Sequence, residues 1–170
     1  MSSSVHDAGL IVFLRLPEKG KVKTRLAATL GDDAALIIYK KLVSITLDNV
    51  RHSGIPVFLF YHGGLPHPSQ RDSAFTYHLQ SEGDLGQKMA NAISQVLEHH
   101  DTAIIIGSDC PDLNPAIITE AMTILENNDV ILGPTHDGGY YLLGCKKLHP
   151  FLFRNISWST ADVFSQTLEA

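Results

Sequence analysis

Cysteine is scarce in this sequence: Cys110 and Cys145 are the only two among 170 residues, too few for a disulfide framework and not arranged as a CxxC pair. They are expected as reduced thiols packed near a sheet rather than as a redox couple. No apolar run approaches the length that crosses a bilayer, and the opening Met1–Asp7 segment has neither the charged nor the apolar region of a signal peptide. A membrane partner is thereby disfavoured and a cytoplasmic chain expected. No Lys/Arg block accompanies the net charge of -5, which argues against general affinity for nucleic acid. GxxxxGK[ST] is missing, so there is no P-loop, and GxSxG is missing, so nothing marks a serine hydrolase. The nine histidines are dispersed without HExxH or another zinc spacing. Repeats, low-complexity stretches and linkers are also lacking, so 170 residues at 44% hydrophobic read as one domain with a sizeable core.

What is present is an alternation of strands and helices. Gly9–Leu14 and Ala103–Ile106 are continuous apolar runs of the kind that central strands buried on both faces carry. Pro56–Tyr61, the shorter Phe75–Leu79, Asp129–Pro134 and Tyr140–Gly144 complete the strand set. Ala35, Ile38, Leu42 and Ile45 recur at helical spacing, with Asp32 or Asp33 placed to cap. Leu85, Met89, Ala92 and Val96 mark a second helix, and Asn114-Pro115 opens a third with its stripe at Ile118, Ala121 and Leu125. Ser159–Asp162 resembles a capping box before a last helix. Such alternation predicts an α/β fold: a three-layer α/β/α sandwich about a mostly parallel central sheet.

The chemistry concentrates at the ends of the strands. Asp109 directly follows the apolar run ending at Gly107-Ser108, where open α/β sheets bind ligands and where a charged carboxylate needs a counter-charge. A hard cation such as Mg²⁺ supplies one. Asp112, three residues on, reads equally as a metal ligand or as an acid at a helix start. Arg15, Lys19, Lys21, Lys23 and Arg25 crowd the loop after the first strand and would repel one another unless solvent or an anion screened them. A polyphosphate is one occupant; a solvated charged turn is the other reading. Asp137-Gly138-Gly139 lies between two strands, either as a tight turn or as backbone approached by a ligand, and Asp137 is the natural partner for Asp109 around one or two ions. Between Gln80 and Gln87 a strand gives way to a helix whose backbone N–H groups can hold an anion, or whose start Asp84 caps.

Phe13-x-Arg15-x-Pro17-x-x-Gly20-x-Val22-Lys23-Thr24-Arg25-Leu26, Glu82-Gly83-Asp84-Leu85-Gly86, Gly107–Leu113, Gly133-Pro134, Asp137–Leu142 and Trp158-Ser159-Thr160 together resemble the bacterial DUF2064 family. That family is described as glycosyltransferase-like and belongs to the nucleotide-diphospho-sugar transferase (GT-A) superfamily. The resemblance spans nearly the whole chain and implies a GT-A fold, with distant likeness to phospholactate guanylyltransferases and molybdenum-cofactor nucleotidyltransferases. It implies that Arg15, Pro17, Gly20, Lys23, Arg25, Gly83, Asp84 and Gly86 serve the nucleotide, with Lys23 and Arg25 at its phosphates. Asp109 and Asp137 would hold Mg²⁺ or Mn²⁺, with Lys23, Arg25 and Asp109 as the catalytic groups. Asp112, Gly138, Gly139, Tyr140, Trp158, Ser159 and Thr160 would face the acceptor or support the groups that do. Arg15 stands where a lysine is common in the family, keeping charge but altering hydrogen-bond geometry. Family members continue past the position of Ala170 with a further strand and helix, so the expectation is one domain over residues 1–170 short of that unit.

The function expected on these grounds is Mg²⁺-dependent transfer from a nucleotide donor to a small acceptor. Nucleotidyl transfer from a nucleoside triphosphate leads, glycosyl transfer from a nucleotide-diphospho-sugar is the alternative, and a nucleotide-binding module without turnover is the rival from another class. The sequence leaves the base, the acceptor and the oligomeric state open.

Overall fold

Six segments rich in β-branched or aromatic side chains, which a pleated surface accommodates, form one sheet. The computed structural model describes residues 7–170. Residues 1–6, which supplied the reading against a signal peptide, lie outside the described residues. The strands are β1 (Ala8–Arg15), β2 (Val57–His62), β3 (Thr76–Leu79), β4 (Thr102–Gly107), β5 (Val130–Pro134) and β6 (Tyr140–Cys145). Their spatial order is β3-β2-β1-β4-β6-β5. β3, β2, β1 and β4 pair in parallel, whereas β6 is antiparallel to both of its neighbours. The mostly parallel sheet expected from the sequence is therefore present, and the turn reading of Asp137-Gly138-Gly139 corresponds to an antiparallel hairpin that joins β5 and β6.

Helices cover both faces. α1 (Thr24–Leu30) is short and buries nothing; α2 (Asp32–Arg51), α3 (Leu85–Leu97), α4 (Pro115–Asn127) and α5 (Val163–Glu169) follow. Alternate residues of β1 feed the two sides of the sheet, Leu10, Val12 and Leu14 packing with α2 and α4 while Ile11 packs with α3. β4 divides likewise, Ile104 and Ile106 to the first side and Ala103 and Ile105 to the second. This is the period-2 geometry of a strand covered on both faces. Among the described residues no helix is long and apolar enough to cross a membrane.

Helix starts show where the sequence was right and where the backbone chose otherwise. Asn114 caps α4, its Oδ1 accepting from the N–H groups of Ala116 and Ile117 at 3.0 and 3.3 Å. Asp84 caps α3 in a reciprocal box with Gln87. Neither Asp32 nor Asp33 caps α2: Gly31, at φ 84°, occupies that position, and the two acids sit in the first turn against the helix dipole. The buried line of α2 also runs through Ala35, Tyr39, Thr46 and Val50, leaving Ile38, Leu42 and Ile45 half-buried beside it. The Ser159–Asp162 box does not form either. Thr160 instead donates to the Ser157 carbonyl at 2.7 Å, and Asp162 precedes α5 without a side-chain cap bond.

Candidate functional site

Parallel crossovers leave β1 with β2 on one side and β4 on the other, so chain connectivity reverses between β1 and β4 and a crevice opens at their carboxyl ends. Into that crevice the loop after β4 carries Asp109 and the loop after β1 carries Lys23. Lys23 Nζ donates to Asp109 Oδ2 at 2.8 Å, joining residues 86 positions apart. Lys23 is held there by an unusual backbone: φ 47° and ψ 47°, a left-handed conformation costing a lysine about 1–2 kcal/mol, at the N-cap of α1. Its side chain is 28% exposed and that of Asp109 60%, so the pair is wet and contributes under about 1 kcal/mol. A wet, weak pair at a strand-end crevice exchanges readily for a stronger partner of either group.

The supporting shell comes from α2. Tyr39 Oη accepts from the Arg15 N–H and donates to the Arg15 carbonyl, both at 2.8 Å, fixing the end of β1. Burial, ahead of every other influence, raises the Tyr39 pKa and keeps the phenol neutral. Thr46 Oγ1 donates to the Ser108 carbonyl at 3.3 Å and Asn49 Nδ2 to the Leu113 carbonyl at 2.6 Å, tethering both ends of the segment that carries Asp109. Gln80 Nε2 bridges the Leu14 and Phe60 carbonyls at 3.2 and 3.0 Å, clasping the ends of β1 and β2. The sequence reading missed Tyr39, Thr46, Asn49 and Gln80. Their signal was there for α2, where polar residues stand on or beside the line that should be wholly apolar.

The remaining cations of the first loop are not uniformly free. Lys19 pairs with Asp33 at 2.8 Å and Lys21 with Glu18 at 2.5 Å, so the repulsion expected of five neighbouring charges is relieved locally at those two. Arg15 and Arg25 have no ion pair among the described residues; Arg15 Nη1 reaches only the Lys21 carbonyl, at 3.4 Å. Gly20, at φ 76°, lets the loop turn, and Pro17 is exposed on it.

Two further stretches share this edge of the sheet. Before α3, Gly83 adopts φ 110° with the Gln87 side chain against it, and the Asp84 carboxylate is spent on the helix cap. At Gly86 a Cβ would stand 2.6 Å from Trp158, so the glycine makes room for the indole. In the β5–β6 turn, Asp137 Oδ1 accepts from the Thr135 hydroxyl at 2.5 Å and the Gly139 N–H at 3.4 Å, and the Thr135 bond in the first place lowers its pKa. Gly138, at φ 85°, brings the turn so close to the 159–162 segment that a Cβ would lie 2.0 Å from the Ala161 carbonyl oxygen. Asp112 is exposed and its carbonyl accepts from Asn114; the Asn114 side chain, not Asp112, serves the α4 cap.

These parts border adjoining cavities. One of about 290 Å³ lies between Arg15, Lys23, His62, Gln80 and Asp109. His62 is kept neutral there first by burial and then by the Lys88 and Arg15 charges. A second, of about 510 Å³, is lined by Phe13, Tyr140, Trp158, Asp137 and Arg25. Asp109 thus borders the first and Asp137 the second, with Phe13, Leu85 and Gly107 common to both walls. Among the described residues no group of three or more acid, histidine or thiol side chains is gathered for a metal. The donor set still suits a magnesium-like ion, which keeps several waters and is held by one or two carboxylates plus substrate phosphates. Asp109 is paired with the Lys23 ammonium, which an ion bound there would displace. The cysteines take no part. Both are free, and burial pushes the Cys145 thiol up to about 12.

Residues 46–160 match the bacterial family described as "Uncharacterized protein conserved in bacteria (DUF2064)". The solved structure of a "putative nucleotide-diphospho-sugar transferase" from Desulfovibrio desulfuricans G20 superposes with a TM-score of 0.88 at 30% identity, over 97% of this chain and 75% of that one. 4-Diphosphocytidyl-2C-methyl-D-erythritol synthase from Anaerococcus prevotii DSM 20548 superposes at 0.60 with 13% identity, over 96% of this chain and 82% of that one. The manganese complex of Rv0371C from Mycobacterium tuberculosis H37Rv gives 0.55 at 15% identity, covering 95% and 81%. At those lower identities the fold is what is shared. No curated protein matches the sequence.

Proposed function

The chain belongs to the DUF2064 family, and from that premise we propose that it is a transferase acting on a nucleotide donor, moving a nucleotidyl group from a nucleoside triphosphate to a small acceptor. One observation carries the reading: Lys23 and Asp109, brought together at 2.8 Å where connectivity reverses between β1 and β4, with Arg15 and Arg25 flanking them. A site that binds a polyphosphate needs cations for the phosphate oxygens and a carboxylate for the accompanying ion, and this crevice offers both. Asp109 and Asp137 are the residues that would hold Mg²⁺ or Mn²⁺, which when bound neutralises charge on the phosphates.

In this mechanism an acceptor oxygen attacks the α-phosphorus, a new P–O bond forms, and the bond to the bridging oxygen breaks with its electron pair leaving on pyrophosphate. A hydroxyl acceptor releases its proton to solvent. No side chain becomes covalently modified. Lys23 exchanges Asp109 for the phosphates, and Arg25 meets them from α1; preorganised contacts of this kind are commonly worth about 10²–10³ in rate each. Tyr39, Thr46 and Asn49 position the two loops from behind. Glycosyl transfer is the second reading, favoured by the description of the 30% identical Desulfovibrio protein. The cytoplasm is the proposed setting, in keeping with two unpaired thiols.

The test is product analysis with a panel of nucleoside triphosphates and nucleotide sugars, Mg²⁺ or Mn²⁺, and varied acceptors. Pyrophosphate release supports nucleotidyl transfer and nucleoside diphosphate release supports glycosyl transfer. Nucleotide binding with neither product marks a binding module and contradicts catalysis.

A further inference from the structure

The cavity beside Trp158 holds more apolar wall than donor chemistry requires. Its volume of about 510 Å³ lies in the range of small-molecule sites. Phe13, Met89, Ile105, Tyr140 and the Trp158 indole enclose it, an extension of the core beneath α3. Its polar groups are few and mostly committed. Asp137 Oδ1 already accepts from Thr135 and Gly139. The Thr160 hydroxyl donates to the Ser157 carbonyl and accepts from the Asp162 N–H. Tyr140 Oη is buried here without a partner among the described residues, and Arg25 brings the one cationic set of unused donors: it reaches both this cavity and the cationic crevice, and its side chain has no hydrogen bond or ion pair among the described residues. The closing wall is fixed by backbone geometry, with Ser159 at φ 66° and Gly138 against Ala161.

A hydroxyl-rich sugar placed here would bury more donors and acceptors than Tyr140 Oη, the second Asp137 oxygen and Arg25 can answer, each unmet group costing about 1–3 kcal/mol. An apolar body meets no such penalty, and a guanidinium at the mouth selects an anion bidentately. We infer that the cavity is the acceptor site and that its ligand is an apolar acid, with an aromatic or branched aliphatic body against Trp158 and a single anionic group, carboxylate or phosphate, on Arg25, whose five N–H donors reach this anion from one side and the donor phosphates from the other. The word acceptor rests on the nucleotide-donor reading; the binding chemistry does not.

Trp158 is the only tryptophan, so its fluorescence reports this cavity in the intact chain. Four probes are titrated: 3-phenylpropanoate, phenyl phosphate, the neutral 3-phenylpropan-1-ol, and glucose 6-phosphate. One or both aromatic anions are expected to give a saturable change, the alcohol to bind about tenfold more weakly, and the sugar phosphate to give none. Which anion binds distinguishes carboxylate from phosphate. In Arg25→Gln, whose circular dichroism confirms folding, the anions should fall to the affinity of the alcohol. Equal affinity for alcohol and acids, tighter binding of the sugar phosphate, indifference to Arg25→Gln, or no saturable change with any probe overturns the inference. Failure of the donor reading shows separately: no thermal shift with Mg²⁺ and nucleotides while the Trp158 titrations behave as expected.

Discussion

Gly86→Ala sets two effects of opposite sign against each other at the wall between the crevice and the apolar cavity. In an unobstructed helix interior alanine is favoured over glycine by about 0.8–1.0 kcal/mol. Gly86 is not unobstructed: its added Cβ would lie 2.6, 2.7 and 2.8 Å from Cζ2, Nε1 and Cε2 of Trp158. Carbon contacts are most favourable at about 3.5–4.0 Å, so the indole or the helix must give by roughly an ångström. Overpacking of this kind costs about 1–3 kcal/mol. Trp158 stands on a loop, where its backbone N–H donates to the Ile156 carbonyl at 3.0 Å, so the indole rather than the 13-residue α3 is the part that yields. The propensity gain is also reduced at the second position of a helix. A net destabilisation of about 1–2 kcal/mol follows. The assay is urea unfolding followed in parallel by circular dichroism and by the emission of the sole tryptophan. The variant should unfold at lower urea and its native emission should move to longer wavelength as the indole is pushed into solvent. A variant at least as stable as the parent, with unshifted emission, refutes the argument that Gly86 exists to seat Trp158.

Other perturbations address the supporting contacts. Asn49→Ala strands the Leu113 carbonyl and loosens the Asp109 segment; a loss of about 1–3 kcal/mol in urea unfolding is expected, and an unchanged midpoint would show that the tether carries nothing. Lys23→Met removes one partner of an exposed pair and should change stability by less than about 1 kcal/mol, while nucleotide binding measured by calorimetry falls at least tenfold; unaltered nucleotide affinity would remove Lys23 from the site. His78 stacks on Phe60 at 4.8 Å with its Nε2 buried and without a partner among the described residues, and burial lowers its pKa below 6.5. The unfolded chain therefore binds the proton more readily, and stability present above pH 6.5 declines as pH falls through that value toward the folded pKa. The urea midpoint should drop between pH 7.5 and 5.5, and His78→Phe should flatten that slope; the same slope in the variant would place the titration elsewhere.

How much of this could be read from the sequence follows from what makes each feature local. β1 and β4 are continuous apolar runs because both faces are covered, and Asp109 stands out because a carboxylate directly follows such a run. Asn114 and Asp84 announce their helices because an N-cap bond spans only two or three residues. α1 gave no such sign: it is seven residues long, buries none, and begins from a left-handed lysine that no propensity would choose. The hairpin turn of β5 and β6 was visible as glycines, and so short a connection forces antiparallel pairing, but that β6 rather than β5 lies beside β4 depends on contacts distant in sequence. The charge balance of the first loop was hidden for the same reason. Lys19 finds Asp33 fourteen positions on, and Lys23 finds Asp109 eighty-six positions on. Tyr39, Thr46 and Asn49 acquire meaning only when the helix carrying them lies over the strand ends.

The central claim is that Asp109 and Lys23 form the phosphate and metal end of a nucleotide site, and ligand-induced thermal stabilisation of the parent chain beside Asp109→Asn tests it most directly. With Mg²⁺ present, at least one nucleoside triphosphate or nucleotide sugar, at about a hundred times its dissociation constant, should add about 2.7 kcal/mol to the parent. For a domain of this size that corresponds to a rise of about 5–11 °C in Tm, and the rise should vanish in Asp109→Asn. Equal stabilisation of both proteins, or none of the parent by any nucleotide tried, contradicts the claim.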